Sequence, residues 1–401
     1  MRIAHMTESE YPLDFRFRGN EVLIKNYIAN SPNEHFVLSG KNRFTETNRR
    51  LFSNHLGSID EAIQQDAIII HDFRRRNIRI LAESDFKGPI VFYAHCLAEL
   101  YPFAGNSKRN QNDARIVKEL MSKKNFHIVA VSEAAKISLE PSFPGAQIDI
   151  VEGSADPELY YPTYGRTELV EAEKVIGFSG RPDNIKGVRT LLETMKRFAH
   201  RKDVGFYLTL SGSNQKRFDA VEYISQNMPD MVRQDRVKIG IDLAKLTTGD
   251  EEKDRMVRRE LYTKAVGQDV FDHSTFVDFT YTPMQRLIDV YFHPANTEAY
   301  GLTILEAMMS GKPVVASNVG GIPEIVGENG RLVDLSERTR SAFKSREKDP
   351  EQRDVDRFYD ALCEAIDNPE DPQKIAASVE DKTPEAAAQR LDRLLEQYSN
   401  Q

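Results

Sequence analysis

The stretch Val290–Ser317 reads "VYFHPANTEAYGLTILEAMMSGKPVVAS". "VYFHPA" is a short apolar run with aromatic and branched residues, a strand signature. "LTILEAMMSG" has the composition of a buried helix and stops at Gly311, a residue suited to ending a helix. "KPVVAS" is a second strand. Two strands joined through a helix form a parallel βαβ unit. Both strands are apolar throughout rather than alternating, as strands covered on both faces must be.

The same grammar extends outward. "KVIGFSG", "VGFYLTLSG" and "RVKIGI" precede this unit, and "GRLVDL" follows it. An earlier series consists of "RIAHM", "HFVLSG", "DAIIIHD", "PIVFYAH", "FHIVAVS" and "QIDIVEGSA", with helical patterns at 20–30 and 109–123. Two successive βα series predict an α/β protein of two doubly wound, Rossmann-like domains. The expected division is 1–160 and 170–380. Between them lies a polar linker containing Pro157, Pro162 and Gly165. A charged helical excursion over 242–271 interrupts the second series. A C-terminal amphipathic helix over 384–398 is available to pack back on the first domain. Ligands of such sheets bind at the carboxyl ends of strands, so a cleft between the two domains is the expected site.

Bulk composition narrows the function. At 401 residues and 40% hydrophobic, the chain is too long for one ordinary core. Its formal charge of −8 argues against general binding to nucleic acid. "RRR" at Arg74–Arg76 reads as a solvated helix face or a local anion site. The two cysteines, Cys96 and Cys363, imply no disulfide framework and fit a reducing, cytoplasmic setting. The nine histidines show no H-E-x-x-H spacing, and no metal or cofactor site is expected. "MRIAHMTESE" does not read as a signal peptide, and no stretch of about 18 apolar residues occurs.

Two constellations carry chemistry. In the first, Glu298 and Glu306 flank Gly301 where a strand gives way to a helix. Such a helix start offers backbone N–H groups and a positive dipole end, and glycine admits a close ligand. Carboxylates accept hydrogen bonds and suit hydroxyls. A ligand bearing both phosphates and hydroxyls, such as a nucleotide sugar, satisfies both halves. A glutamate favouring the helix dipole beside a solvated one is the plainer alternative. In the second, "GFSGRPDNIKGVRTLLE" (Gly177–Glu193), a strand ends at Gly180, Arg181 and Lys186 occupy the loop, and Gly187 opens a helix. Two cations there suit a diphosphate, or form a solvated basic loop.

Together these motifs resemble the donor site of retaining GT-B glycosyltransferases, the family of sucrose-phosphate synthases and bacterial group 1 transferases. The resemblance runs through "GRPDNIKG", "TEAYGLTILEAMMSGKPVVAS" with its E-x7-E pair, "GGIPEIV" at Gly320–Val326, and "GRLVD". Fainter echoes are "VFYAH", "VSEAAK" and "IVEGSADPELYYP". The resemblance implies a GT-B fold with two Rossmann-like domains facing across a cleft. It places Glu306 on the donor ribose and Glu298 against the transferred sugar. It puts backbone N–H groups of Tyr300, Gly301, Leu302 and Thr303 on sugar and phosphates, and Arg181 and Lys186 on the diphosphate. His95 matches a histidine near the reaction centre. Relatives usually carry a Gly-Gly loop after the first strand. Here "DFRFRGNEV" supplies only Gly19, so acceptor recognition is expected to be distinctive.

The implied reaction moves a hexose-type sugar from a nucleoside diphosphate to an acceptor hydroxyl, with retention and without a metal. The acceptor could be a sugar, a small molecule or a lipid-linked group. Arg16, Arg18 and Arg74–Arg76 leave peripheral membrane contact open. Competing readings are a non-catalytic nucleotide-sugar-binding scaffold and a nucleotide-sugar epimerase.

Overall fold

The computed structural model describes residues 1–7, 19–39, 56–71, 75–98, 101, 108–162, 170–211, 214–241, 276–278, 284–340 and 349–401. Contacts group the chain into two units, Met1–Ser154 with Asp381–Gln401, and Ala155–Glu380. The 242–271 excursion, Arg16, Arg18 and Arg74 lie outside the described residues.

The first unit is built on a parallel sheet in the order β2-β1-β3-β4-β5-β6. Its strands are β1 (Arg2–Thr7), β2 (Glu34–Ser39), β3 (Ala67–Ile70), β4 (Ile90–Ala94), β5 (Phe126–Ala130) and β6 (Ile148–Ile150). β3 and β4 are buried at every position, which is why their sequences lack alternation. The order reverses between β1 and β3, so the connections leaving these two strands diverge there.

The second unit carries a seven-stranded parallel sheet in the order β10-β9-β8-β7-β11-β12-β13. Its strands are β7 (Lys174–Gly180), β8 (Val204–Leu210), β9 (Val237–Ile241), β10 (Phe276–Asp278), β11 (Val290–His293), β12 (Val314–Ser317) and β13 (Arg331–Val333). β10 escapes the sequence reading because only three residues pair, with β9. β7 and β11 are hydrogen-bonded neighbours although the chain visits β8, β9 and β10 between them. They form the switch point of this sheet, where loops leaving adjacent strands diverge and open a crevice.

The C-terminal helix Pro384–Ser399 groups with the first unit. Thr383 caps it, and Pro384 takes a first-turn position where its missing N–H costs nothing. Tyr27 donates to Asp392 at 2.7 Å, and Tyr398 donates to Asp149 at 2.6 Å. Lys382 and Arg390 both reach Glu152, at 2.8 and 2.9 Å. The segment 155–162 groups instead with the second unit, because its tyrosines find partners there: Tyr160 on Glu306, and Tyr161 under Arg286 at 4.2 Å. Among the described residues no helix is long and apolar enough to cross a membrane.

Candidate active site

The switch point of the second sheet brings the two sequence constellations together. The loop after β7 and the loop after β11 are laced by backbone. Asn296 N–H donates to the Ile185 carbonyl at 2.9 Å, and Asn296 Nδ2 donates to the Asn184 carbonyl at 2.7 Å. Gly187 sits at φ +67°, and a Cβ there would fall 1.7 Å from the Pro294 carbonyl oxygen. Only glycine permits both the left-handed conformation and that approach. This contact turns the chain into the helix Val188–Arg197 and delivers Lys186 to the neighbouring loop.

Lys186 Nζ forms an ion pair with Glu298 Oε2 across 112 residues of sequence. His293, fully buried at the end of β11, places Nε2 3.1 Å from the same carboxylate oxygen. Burial alone would raise the Glu298 pKa, but Lys186 and His293 together hold it well below the usual carboxylate range. Burial pushes His293 down, so at neutral pH it is an uncharged ring donating Nε2–H to Glu298. Its Nδ1 lies 3.4 Å from the Tyr291 hydroxyl, which is 3.2 Å from the Ser179 carbonyl. The result is a carboxylate fixed in charge and direction beside a lysine.

The glycine pair of "GGIPEIV" holds the backbone of this carboxylate. Gly320 has φ +53°, and a Cβ there would lie 1.8 Å from the Glu298 carbonyl oxygen. Gly321 N–H donates to that same oxygen at 3.1 Å. Gly320→Ala is expected to cost about 2–4 kcal/mol, through left-handed strain and overpacking together. Chemical denaturation of the second unit checks this. An unchanged midpoint would show that the turn shifts freely.

Gly301 precedes the helix Leu302–Met309, whose first turn faces the crevice at the carboxyl end of β11. Glu306 lies one turn in. Gln285 Nε2 donates to its Oε2 at 2.6 Å, and the Tyr160 hydroxyl bonds to it as well. Burial pushes the Glu306 pKa up to about 8, even though the bond from Tyr160 works in the opposite direction. At pH 7 this carboxyl is mostly protonated. The two glutamates are therefore electrostatically opposite: Glu298 is ionised and paired, Glu306 neutral.

Arg181 is half-exposed and, among the described residues, pairs with Asp183 Oδ2 alone, at 3.5 Å. Lys186 and Arg181, grouped by sequence as one diphosphate pair, thus have different partners. His95 lies in the first unit, at the carboxyl end of β4. Gly19 begins the helix Gly19–Asn30. Among the described residues no three His, Cys, Asp or Glu side chains converge as a metal site. Sequence reading missed His293, Tyr160, Gln285 and Asn296. His293 alone carried a signal, as the residue ending β11 on its carboxyl edge.

Residues 208–345 match the family described as "Glycosyl transferases group 1". The whole chain superposes on Anabaena HepE, solved with UDP, at a TM-score of 0.64 with 14% identity, covering 99% of this chain and 100% of that one. Sucrose-phosphate synthase from Thermosynechococcus elongatus gives a TM-score of 0.64 with 16% identity, over 99% and 98% of the two chains. These likenesses establish the architecture. Residues 208–345 are a group 1 glycosyltransferase domain, carried on a GT-B fold. The D-inositol 3-phosphate glycosyltransferase of Corynebacterium glutamicum is 25% identical over 289 residues, 68% of this chain and 61% of that protein. The match thus spans less than two thirds of that relative's length. The group 1 match contains Glu298, Glu306 and the "GGIPEIV" turn. Lys186 lies outside it and joins the site through the β7–β11 pairing.

Proposed function

We propose that this chain transfers a hexose-type sugar from a nucleoside-diphosphate sugar to an acceptor hydroxyl, with retention at the anomeric carbon and without a metal. One observation carries the reading: Lys186 and Glu298, delivered by separate strands, meet at the carboxyl edge of a switch point beside a helix N-terminus. A cation and a helix start suit a diphosphate, and a directed carboxylate suits sugar hydroxyls. The family match and the UDP-bound structure of the Anabaena protein support the same ligand class.

In this reading Lys186, Arg181 and the helix start at Gly301–Thr303 stabilise negative charge growing on the leaving diphosphate, commonly the largest catalytic term. Glu298 orients the sugar, with Tyr300 and Leu302 framing it. Glu306 takes the ribose hydroxyls. His95 and Gly19 belong to the acceptor side. The acceptor's identity is open to a sugar, a small molecule or a lipid-linked group. A nucleotide-sugar-binding scaffold would bind the donor yet never hydrolyse or transfer it, and turnover of bound donor separates the two.

The neutral state of Glu306 supplies a direct test. A ribose diol is best matched by the ionised, acceptor-only carboxylate. Binding should therefore expel a proton at pH 7, and affinity should rise with pH by up to about tenfold per unit until near pH 8. Calorimetry with UDP in two buffers of different ionisation heat measures the released proton directly. Glu306→Gln should abolish the release. UDP bound with no proton change in either protein would remove Glu306 from the ribose. Absence of UDP, ADP or GDP binding would defeat the donor reading as a whole.

A further inference from the structure

Four histidines of the first unit form a continuous chain, His5, His71 and His95 buried and His35 half-buried. His35 lies on β2, His5 on β1, His71 just past β3 and His95 just past β4. His35 Nδ1 meets His5 Nε2 at 3.0 Å, His5 Nδ1 meets His71 Nε2 at 3.0 Å, and His71 Nδ1 meets His95 Nε2 at 2.8 Å. The strand order β2-β1-β3-β4 makes this possible. Each histidine takes the next strand across one face, and strand spacing matches the ring spacing of 5.1–5.3 Å.

Burial keeps the rings uncharged. It pushes His5 and His71 well below the ordinary histidine range, His95 down to about 3 and His35 down to about 4. A neutral imidazole has one donor and one acceptor nitrogen. Each internal ring spends both on its neighbours, so the chain has only two neutral arrangements, one the reverse of the other. Among the described residues, the ring nitrogens of these four histidines without a hydrogen-bond partner are the two ends of the line, His95 Nδ1 and His35 Nε2. The rings form a line and not a cage, so the cluster does not converge as a metal site.

We infer that His95, His71, His5 and His35 are a proton relay that carries a proton from a ligand hydroxyl at the carboxyl edge of the first sheet to His35, and returns it. The ligand is a hydroxyl-bearing acceptor. That clause rests on the transferase reading; the relay itself does not. In the forward step the hydroxyl O–H bond breaks and His95 Nδ1–H forms. His95 Nε2–H then breaks as His71 Nδ1–H forms, His71 Nε2–H breaks as His5 Nδ1–H forms, and His5 Nε2–H breaks as His35 Nδ1–H forms. The positive charge ends on His35, and no interior ring keeps it. The reverse sequence returns the proton from His95 Nδ1 to the ligand oxygen and restores the starting arrangement.

The charged surroundings favour this end of the chain. Burial lowers the His35 pKa most, the facing Asp392 of the helix Pro384–Ser399 raises it in part, and the Met1 ammonium lowers it a little further. Asp392 is fixed by Tyr27, Ser31 and Asn33, at 2.7, 3.0 and 2.7 Å, and Met1 N sits on Asn33 Oδ1 at 3.0 Å. Tyr27 packs edge-on against His5 and His35. Tyr93 packs 4.5 Å from the His95 ring, with its hydroxyl donated to the Val151 carbonyl.

The test uses the full chain with ring-15N histidine and needs no substrate. At pH 7 the wild type should show N–H···N couplings linking all four rings, each neutral. His35→Lys places an obligate donor against His5 Nε2, and His35→Glu an obligate acceptor. The proton of His95 should sit on Nδ1 in the first variant and on Nε2 in the second, three rings from the change. A packing role alone would not move it. The same His95 tautomer in both variants overturns the relay. If neither variant folds, the wild type decides: couplings through all four rings support the relay, and a missing coupling or a charged ring at pH 7 overturns it. UDP binding, read separately in the second unit, is untouched by either result.

Discussion

The first unit should unfold on mild acidification, losing most of its stability between pH 7 and pH 5. Its histidines are the cause. His5, His71 and His95 are buried and neutral, with pKa values far below the 6.5 of an unfolded histidine. Below pH 6.5 the unfolded chain takes up protons that these folded rings refuse, so stability falls as pH falls. Each ring contributes about 1.4 kcal/mol per pH unit once pH is well below 6.5. Integrated from pH 7 to 5, the three amount to roughly 5–6 kcal/mol, comparable with the whole stability of a domain. His35, only half-buried, adds less in the same direction. Glu152, held below the usual carboxylate range by Lys382 and Arg390 against the opposing effect of burial, adds to the loss at lower pH still. Melting followed by circular dichroism across this range checks the expectation. A first unit equally stable at pH 7 and pH 5 would mean that the rings accept protons in place.

Lys186→Ala should cost the second unit about 3–5 kcal/mol, because it strands the Glu298 carboxylate with only a neutral histidine. The pair is well covered, with side-chain exposures of 22% and 13%, so solvent screens little of the loss. The Glu298 pKa should rise, since burial then acts against a weaker opposition. The double replacement Lys186→Met with Glu298→Gln removes both charges and should recover most of the stability, because no unpaired charge is then left buried. It should not recover sugar transfer. Denaturation of the single and double variants, beside turnover, separates the structural cost from the chemical one. Full stability in Lys186→Ala would show that water reaches Glu298 readily. Turnover in the double variant would remove both residues from the reaction.

What the sequence determined by itself was local. β3, β4, β7, β8, β11 and β12 were legible because a strand covered on both faces must be a continuous apolar run. The helix after Gly301 and the one opened at Gly187 announced themselves through residue type, and the motifs around them pointed to the fold; the turn at Gly320 emerged only in the structure. The tertiary structure decided everything that depends on strand order. Lys186 meets Glu298 because β7 and β11 are neighbours at a switch point. Asn296 and Gly187 lace the two loops together for the same reason. Glu298 and Glu306 look alike in sequence, yet one is ionised by Lys186 and the other neutralised by burial beside Tyr160 and Gln285. His5, His35, His71 and His95 have no common spacing along the chain. They become one chain of rings only when β2, β1, β3 and β4 lie side by side, because hydrogen bonds act over about 3 Å of space and are indifferent to distance along the sequence.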